Sequence, residues 1–217
     1  MIDPDGQQAA WDLWHGARDT TGDRSALAWL LGERYPTAGK LLELGCGQGA
    51  DAVWFAQHGA TVWATDISTV ALDAARANAA RHQVSVTFMA HDLRSGLPLS
   101  FDAELDAVYA RLSLHYFSPE VTGQLFTEIA EALRPGGVFA FEVKSVDDPL
   151  FGAGEHVAGR MFRRNGRTRH FFTPTYVRAL LQGWDIQQLT EHRFRYQSDT
   201  ESAIIRVIAK QAEGAAR

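Results

Sequence analysis

The stretch that most constrains this sequence is residues 40–49, Lys-Leu-Leu-Glu-Leu-Gly-Cys-Gly-Gln-Gly. A short apolar run carries one acid, Glu43, and three glycines then alternate with single residues. The run is typical of a buried strand, and the glycines are typical of a tight turn that lets a ligand lie on the main chain. A helix is expected from about Ala50. A strand, a glycine turn and a helix N-terminus together predict a cradle for a ligand of nucleotide size.

A regular alternation of strands and helices follows this stretch. Apolar periodicity predicts strands over 40–44, 61–65, 84–89, 105–110 and 138–143, with helices over 51–58, 68–82 and 119–133. Each crossover is long enough to return parallel, which predicts an α/β fold with a doubly wound, mostly parallel sheet. A helix over 173–181 and strand-like runs over 186–196 and 203–209 then predict a terminal antiparallel hairpin on one edge of the sheet.

We find no linker that would mark a second domain, so residues 1–217 are expected to form one domain. Residues 1–38 are expected to hold short helices at about 7–16 and 24–31, and residues 39–145 the cofactor-binding core. Residues 146–172 show no clear period and are interpreted as an excursion that covers the substrate, before the final helix and hairpin of 173–211. Trp11 and Trp14 either cover a pocket or pack on the sheet edge.

Composition restricts the setting. The 217 residues have a formal net charge of -5, which argues against broad nucleic-acid binding, and only one cysteine, so no internal disulfide is possible. The first twelve residues do not resemble a signal peptide, and no apolar stretch reaches the roughly 18 to 20 residues of a membrane span. We expect a cytoplasmic protein without a membrane partner, present as a monomer or homodimer. No cluster of acids and amides suggests a metal site.

The details of the glycine turn favour one kind of ligand. A dinucleotide turn has the spacing Gly-x-Gly-x-x-Gly, whereas here Gly45, Gly47 and Gly49 alternate with single residues and Glu43 ends the strand. A carboxylate there would complement a positively charged ligand. Asp66 follows Gly45 by 21 residues, at the end of the second predicted strand, where a carboxylate can accept both hydroxyls of a ribose.

Four motifs together resemble those of class I S-adenosylmethionine-dependent methyltransferases. They are Leu-Glu-Leu-Gly-Cys-Gly-Gln-Gly (42–49), Ala-Thr-Asp (64–66), His-Asp-Leu (91–93) and Leu-Arg-Pro-Gly-Gly (133–137), and the similarity spans about residues 38–143. The resemblance implies a Rossmann-like, seven-stranded sheet with a reversed last strand, and S-adenosylmethionine as cofactor. A looser similarity points to the small-molecule, tellurite-resistance-type branch, through the compact length, the Trp11-Asp12 opening and a late Arg-His-Phe-Phe turn.

The resemblance also implies roles for individual residues around the cofactor. The backbone of the glycine turn would lie against the methionine part, Glu43 would complement its cationic end, and Asp66 would bind the ribose. The expected cofactor-binding residues are Glu43, Gly45, Cys46, Gly47, Gly49, Asp66, Ile67, Asp92, Leu93 and Arg111. Cys46 stands at a variable position of the motif and is not proposed as a nucleophile, and Asp92 could instead cap a turn.

Methyl transfer from a sulfonium is an in-line displacement that depends mainly on placing the acceptor. His115 follows the fourth predicted strand and is a candidate general base or a residue of the pocket wall, with Tyr116 a second candidate. Five arginines lie between residues 160 and 169, and three interpretations are open. They form a solvated face of a loop, they bind an anionic small substrate, or they contact nucleic-acid phosphates. The expected substrate-binding residues are Trp11, Trp14, His115, Phe151, Arg163, Arg164, His170 and Phe171.

The leading hypothesis is therefore a methyltransferase that uses S-adenosylmethionine to methylate O, N or S of a small-molecule acceptor. One alternative is an NAD-dependent oxidoreductase, which the same fold class permits but the glycine spacing and Glu43 disfavour. The other is a non-catalytic module that keeps the cofactor cradle.

Overall fold

The computed structural model describes residues 4–35, 38–98, 104–195 and 201–212. Residue 196 of the predicted hairpin and residues 1–3 and 36–37 of the predicted N-terminal segment lie outside these ranges. The helices are α1 (Pro4–Gly16), α2 (Ala26–Arg34), α3 (Ala50–Gln57), α4 (Thr69–Arg81), α5 (Pro119–Ala132) and α6 (Pro174–Leu180). The strands are β1 (Lys40–Leu44), β2 (Thr61–Asp66), β3 (Thr87–Ala90), β4 (Leu105–Arg111), β5 (Leu133–Lys144), β6 (Glu155–Ala158), β7 (Met161–Arg164), β8 (Arg167–His170), β9 (Asp185–Arg195) and β10 (Glu201–Lys210). None of the helices in the described ranges is long and apolar enough to cross a membrane.

Seven strands form the main sheet in the order β3-β2-β1-β4-β5-β10-β9. The strands β1 to β5 are mutually parallel, and β10 runs antiparallel to both β5 and β9. This arrangement confirms the predicted doubly wound, mostly parallel sheet with a terminal antiparallel hairpin. The chain reverses direction across the sheet between β1 and β4, and parallel α/β sheets bind ligands at such a point.

Both faces of the sheet are covered by helices. Leu41 of β1 packs in one core with α2, α3 and α4, whereas its neighbour Leu42 packs in the other core with α5 and α6. Successive side chains of a strand point to opposite faces, so a strand buried on both sides must be apolar throughout. The central place of β1 in the sheet therefore explains its three leucines, and buried Glu43 is the exception.

Two predicted boundaries in the core were wrong. The third strand spans Thr87–Ala90 rather than 84–89, because it begins only where Thr87 pairs with Trp63 of β2. The fifth begins at Leu133 rather than 138, since Leu133 already pairs with Leu105 of β4. Helix α5 consequently ends at Ala132.

The segment after β5 is more ordered than the sequence pattern indicated. The strands β6, β7 and β8 form a separate three-stranded antiparallel sheet within the predicted aperiodic excursion. Its second hairpin turns at Asn165 and Gly166, which both have positive φ angles, of 50° and 72°. Asn-Gly between two short strands is a characteristic hairpin turn, so this part of the sequence did contain a signal for the second sheet.

Candidate functional site

A cavity of about 840 Å³ lies at the carboxyl ends of the parallel strands. Each strand from β1 to β4 contributes to its lining, through Gly45 after β1, Asp66 at the end of β2, Asp92 after β3 and Arg111 at the end of β4. The position is the one at which parallel α/β sheets place their ligands. The volume lies within the range of small-molecule and cofactor sites.

The glycine turn forms the floor of this cavity. The backbone N–H groups of Gly45 and Cys46 both donate to the carbonyl oxygen of Thr65 at 2.8 Å, which ties the turn to the end of β2. Gly45 has a φ of 75°, and a Cβ atom there would lie 2.5 Å from the Cβ of Ser113. The close approach of the segment after β4 therefore requires glycine at this position. Gly49 does not line the cavity and instead begins α3, with a φ of 77°.

Glu43 lies beneath the turn as a buried acid without a full set of partners. Glu43 is 3% exposed, and its Oε2 atom has no hydrogen-bond partner among the described residues. Burial raises its pKa well above the usual range, and Asp51 and Asp66 raise it further. Neighbouring Asp51, by contrast, is satisfied by the N–H of Ser25 at 2.6 Å and the hydroxyl of Tyr109 at 2.7 Å. A ligand with a positively charged group would stabilise the Glu43 carboxylate.

Asp66 joins the glycine turn to the start of α4. Its Oδ2 accepts from the Gly47 N–H at 2.8 Å and its Oδ1 from the Ser68 N–H at 2.9 Å. Burial raises the pKa of Asp66 despite these two hydrogen bonds, which lower it. Each carboxylate oxygen has a second lone pair, so the group can accept further bonds from ligand hydroxyls on the cavity side. Ile67 lines the cavity beside it.

Asp92 begins a short 3-10 turn, Leu93–Ser95, and accepts from the Arg94 N–H at 3.0 Å. Burial raises its pKa, but the hydrogen bonds from Arg94 outweigh this and hold the pKa below its usual range. Asp92 and Leu93 both line the cavity, so the capping role and a ligand-binding role are compatible at this position. The described residues bring no three His, Cys, Asp or Glu side chains within reach of a common metal ion.

Two cations at the sheet edge already have carboxylate partners. The Arg111 Nε lies 3.4 Å from the Glu142 carboxylate. Buried Lys144, at the end of β5, donates to Asp148 and to the Ser202 hydroxyl, both at 2.7 Å. These pairs compensate the two charges where they enter the cavity wall.

His115 and Tyr116 follow β4 in a second 3-10 turn, Leu114–Tyr116, and both line the cavity. His115 is 1% exposed, and neither of its ring nitrogens has a hydrogen-bond partner within the described parts of the chain. Burial lowers its pKa well below the usual range, and Lys144, Arg169 and His170 lower it further. The imidazole is therefore neutral at neutral pH, as a base must be, but it is a weak base.

Helix α1 covers the glycine turn. Its Trp11, Trp14 and His15 line the cavity, which places the two tryptophans over the pocket rather than on the sheet edge. Asp12 holds the helix in place by accepting from the Ser68 hydroxyl at 2.6 Å. Gln48, within the glycine turn, donates to the His15 and Arg18 carbonyl oxygens at 3.1 and 2.7 Å. Polar contacts thus connect the C-terminal half of α1 to the start of α4 and to the glycine turn.

The small sheet contributes two arginines to the cavity, Arg167 and Arg169 of β8. The structure does not bring the predicted Arg163 and Arg164 to this site. Arg163 pairs in register with Thr168, so it lies on the opposite face of the sheet from Arg167 and Arg169, and Arg164 is exposed at the turn. The segment therefore reaches the cavity through Arg167 and Arg169, and not through the expected Arg163 and Arg164.

Three other predicted substrate residues, Phe151, His170 and Phe171, also lie outside the cavity lining. His170 alternates with Arg169 along β8, so its ring faces the other side and packs 4.6 Å from that of Phe172. Phe151 and Phe171 pack against each other at 5.5 Å between ring centroids. These side chains support the small sheet and do not contact the cavity.

Several lining residues had no recognisable sequence signal. Two of them, His15 and Lys144, line the cavity only because α1 and the end of β5 converge there. The alternation Arg-Thr-Arg in β8, next to the Asn165-Gly166 turn, was a usable signal for Arg167 and Arg169, because side chains two apart share a face of a strand.

Comparison with known proteins relates this chain to methyltransferases. The model of a methyltransferase domain family matches residues 41–137. An uncharacterized methyltransferase of Synechocystis is 36% identical over 101 residues, which are 46% of this chain and 45% of that protein. A ribosomal RNA small subunit methyltransferase C of Alcanivorax borkumensis is 31% identical over 127 residues, 57% of this chain and 38% of that protein. The matches thus span less than half the length of these two relatives.

Solved structures extend the likeness of the fold to almost the whole chain. The 1,6-didemethyltoxoflavin-N1-methyltransferase of Burkholderia thailandensis, a structure with bound 1,6-didemethyltoxoflavin and S-adenosylhomocysteine, superimposes with a TM-score of 0.68. The alignment covers 98% of this chain and 92% of that one at 21% identity. At this degree of identity, the superposition shows a shared fold alone.

Proposed function

We propose that this chain is a class I S-adenosylmethionine-dependent methyltransferase that methylates an O, N or S atom of a small molecule. The observation that carries the proposal is the placement of Glu43, Asp66 and Asp92 along one cavity, at the ends of three adjacent strands. The Glu43 Oε2, which has no hydrogen-bond partner among the described residues, fits a cationic amino group, and the remaining lone pairs of Asp66 fit the hydroxyls of a ribose. Among the residues of the cradle, these are the ones whose chemistry matches the cofactor best.

The remaining cofactor contacts follow from the same placement. Asp92 and the backbone of Leu93 would hydrogen-bond the adenine, Ile67 would pack on it, and Arg111 would border the sulfonium side. When bound there, S-adenosylmethionine supplies an activated methyl group for in-line transfer to a nucleophile. The protein's own contribution is to hold the acceptor in line and to exclude water under α1.

His115 and Tyr116 are proposed to position the acceptor. The lowered pKa of His115 keeps its imidazole neutral, so that one ring nitrogen can accept a proton or hydrogen bond while the other donates. An acceptor that is already deprotonated needs only this orienting role.

A small acceptor, rather than RNA or a protein, is supported by the cover over the cavity. Helix α1 closes the site with Trp11 and Trp14 and is held by Asp12 and Gln48. The cofactor must share the volume of about 840 Å³ with the acceptor, which leaves space for a molecule of modest size. The net charge of -5 also disfavours a polyanionic partner.

Calorimetry with S-adenosylhomocysteine and NAD tests the cofactor, and a screen of small acceptors with methyl-labelled S-adenosylmethionine tests the transfer. We expect S-adenosylhomocysteine to bind and NAD not to bind, and Asp66→Ala to abolish labelling. Asp73→Ala on α4, which removes an exposed acid paired with Arg76, is the matched control and should leave binding intact. Binding of NAD alone would refute the proposal, and labelling of RNA in preference to every small molecule would refute its substrate class.

A further inference from the structure

The cavity wall holds two arginines, Arg167 and Arg169, that pair with no carboxylate of the described residues. Arg167 and Arg169 both line the cavity, and neither forms an ion pair within the described ranges of the chain. Arg163, on the other face of the same small sheet, does pair with Glu155 at 3.3 Å. The sheet therefore supplies a carboxylate to an arginine outside the cavity and none to the two inside it.

Aromatic rings hold both guanidinium groups in place. The Arg167 Cζ lies 4.9 Å from the ring centroid of Trp11, and the Arg169 Cζ lies 5.5 Å from that of Tyr116. The rings of Trp11 and Tyr116 are themselves in edge-to-face contact at 4.9 Å. A cation–π contact fixes the position of a guanidinium without neutralising it. Arg167 also hydrogen-bonds Tyr116, and its remaining donors stay available to an anion.

The partly buried position of Arg167 also favours a bound anion. The residue is partly buried, and burial lowers its pKa, with Arg169 and Arg18 lowering it further and Tyr116 opposing them. Bringing two like charges together in a partly desolvated wall costs free energy that a bound anion would offset.

His115 supplies an independent observation next to Tyr116, the ring that Arg169 contacts. Its ring lies 4.2 Å from that of Tyr116, and both of its buried nitrogens lack a partner within the described residues. A buried polar group without a hydrogen bond is costly, and a ligand in the cavity can provide the missing bond. The neutral imidazole can donate to an oxyanion or accept from a neighbouring hydroxyl.

We infer that Arg167 and Arg169 form the binding site for an oxyanion of the methyl acceptor, a carboxylate or a phosphate, next to His115 and Tyr116. The inference rests on the proposed function, since it assigns a chemical class to the acceptor of that reaction. Glu43, Asp66 and Asp92 line the same cavity, and their carboxylates would repel an anion. The oxyanion of the acceptor would therefore pair with the two arginines and lie away from these carboxylates.

Titrations with defined probes test this site. Inorganic phosphate, acetate, benzoate and the neutral analogue benzamide are titrated into the full-length protein by calorimetry and ligand-observed NMR, in buffer free of other oxyanions. Each titration is made with and without saturating S-adenosylhomocysteine. We expect at least one oxyanion to bind, and benzoate to bind at least tenfold more tightly than benzamide if a carboxylate is preferred. Preference for phosphate would identify a phosphorylated acceptor class.

Variants attribute the binding to the two arginines. Arg167→Gln and Arg169→Gln should each weaken the preferred oxyanion at least tenfold and leave the affinity for S-adenosylhomocysteine unchanged. Arg164→Gln is the matched control, because Arg164 belongs to the same sheet but lies exposed outside the cavity.

The outcomes separate this inference from the proposed function. If S-adenosylhomocysteine binds but no oxyanion does, or if Arg167→Gln and Arg169→Gln bind the oxyanion as the wild type does, the oxyanion site is refuted and the proposed function stands. If S-adenosylhomocysteine does not bind the wild type, the proposed function fails, and the titrations without it still decide whether the arginine pair binds an oxyanion.

Discussion

At the scale of single residues, the site depends on polar groups that are buried without enough partners. Glu43 and His115 are both almost fully buried, and each has polar atoms without a hydrogen bond within the described residues. Such groups reduce the stability of a protein, so their presence in a cavity indicates that a bound molecule completes them. Arg167 is a similar case, because its guanidinium contacts the ring of Trp11 and pairs with no carboxylate of the described residues.

Substitution of Glu43 by Gln should affect stability and binding in opposite directions. Replacing this buried acid, whose charged form is disfavoured, with a neutral amide should raise the free energy of unfolding, by about 1 kcal/mol. Loss of the carboxylate should weaken S-adenosylhomocysteine binding at least tenfold, about 1.4 kcal/mol. Thermal unfolding and calorimetry measure the two effects.

The matched control for this variant is Glu131→Gln, at an exposed position on α5. It should change neither quantity. A Glu43→Gln protein that binds S-adenosylhomocysteine as tightly as the wild type would show that the carboxylate does not contact the cofactor.

At the scale of elements, helix α1 is a cover held by polar contacts in its C-terminal half. It meets α4 through Asp12, which accepts from Ser68 and Val70, and it meets the glycine turn through Gln48. The same turn binds the cofactor in the proposed function, so Gln48 connects the cover to the cofactor site. Release of the cofactor must break or bypass these contacts.

Replacing Gln48 by Ala should therefore loosen the cover and speed cofactor release. The variant loses the hydrogen bonds to the His15 and Arg18 carbonyl oxygens, each worth about 1 kcal/mol. We expect S-adenosylhomocysteine to dissociate roughly tenfold faster, as measured by stopped-flow fluorescence. Gln57→Ala, which removes an exposed glutamine bonded to His82, is the control and should leave the rate unchanged. Equal rates in both variants would show that Gln48 does not retain the cover.

At the scale of the whole molecule, the buried histidines make stability depend on pH. His15 is 7% exposed, and burial lowers its pKa to about 4, with Asp12 opposing and Arg167 reinforcing the shift. Burial also lowers the pKa of His170 to about 4. Between pH 6.5 and about 4 the unfolded chain binds protons that the folded chain does not. The free energy of unfolding that the neutral histidines contribute therefore decreases as the pH is lowered through this window.

His15→Gln should reduce this dependence. Over that window the free energy of unfolding of the wild type should lose up to about 1.4 kcal/mol per pH unit more than that of the variant. Buried Glu43 and Asp66, whose pKa values are raised, act in the opposite direction but equally in both proteins. Urea unfolding at several pH values measures the slopes, and His58→Gln at an exposed position is the control. Identical slopes in wild type and His15→Gln would refute the prediction.

The cofactor side of this protein was determined by the sequence itself. The strand, glycine turn and helix around residues 40–57 are contiguous, and Asp66 and Asp92 stand at the ends of the next two strands, so local patterns suffice to bring them to one edge. The Asn165-Gly166 turn shows that the small sheet was also predictable in principle.

Only the tertiary structure decided the acceptor side. Trp11, Tyr116 and Arg167 come from α1, the segment after β4 and the small sheet, and they meet through contacts between rings and a guanidinium group. Such contacts between distant segments depend on how the elements pack, and no local periodicity encodes them. Arg163 and Arg167 are of the same residue type and four positions apart, and only the register of β7 and β8 places one outside the cavity and the other inside it.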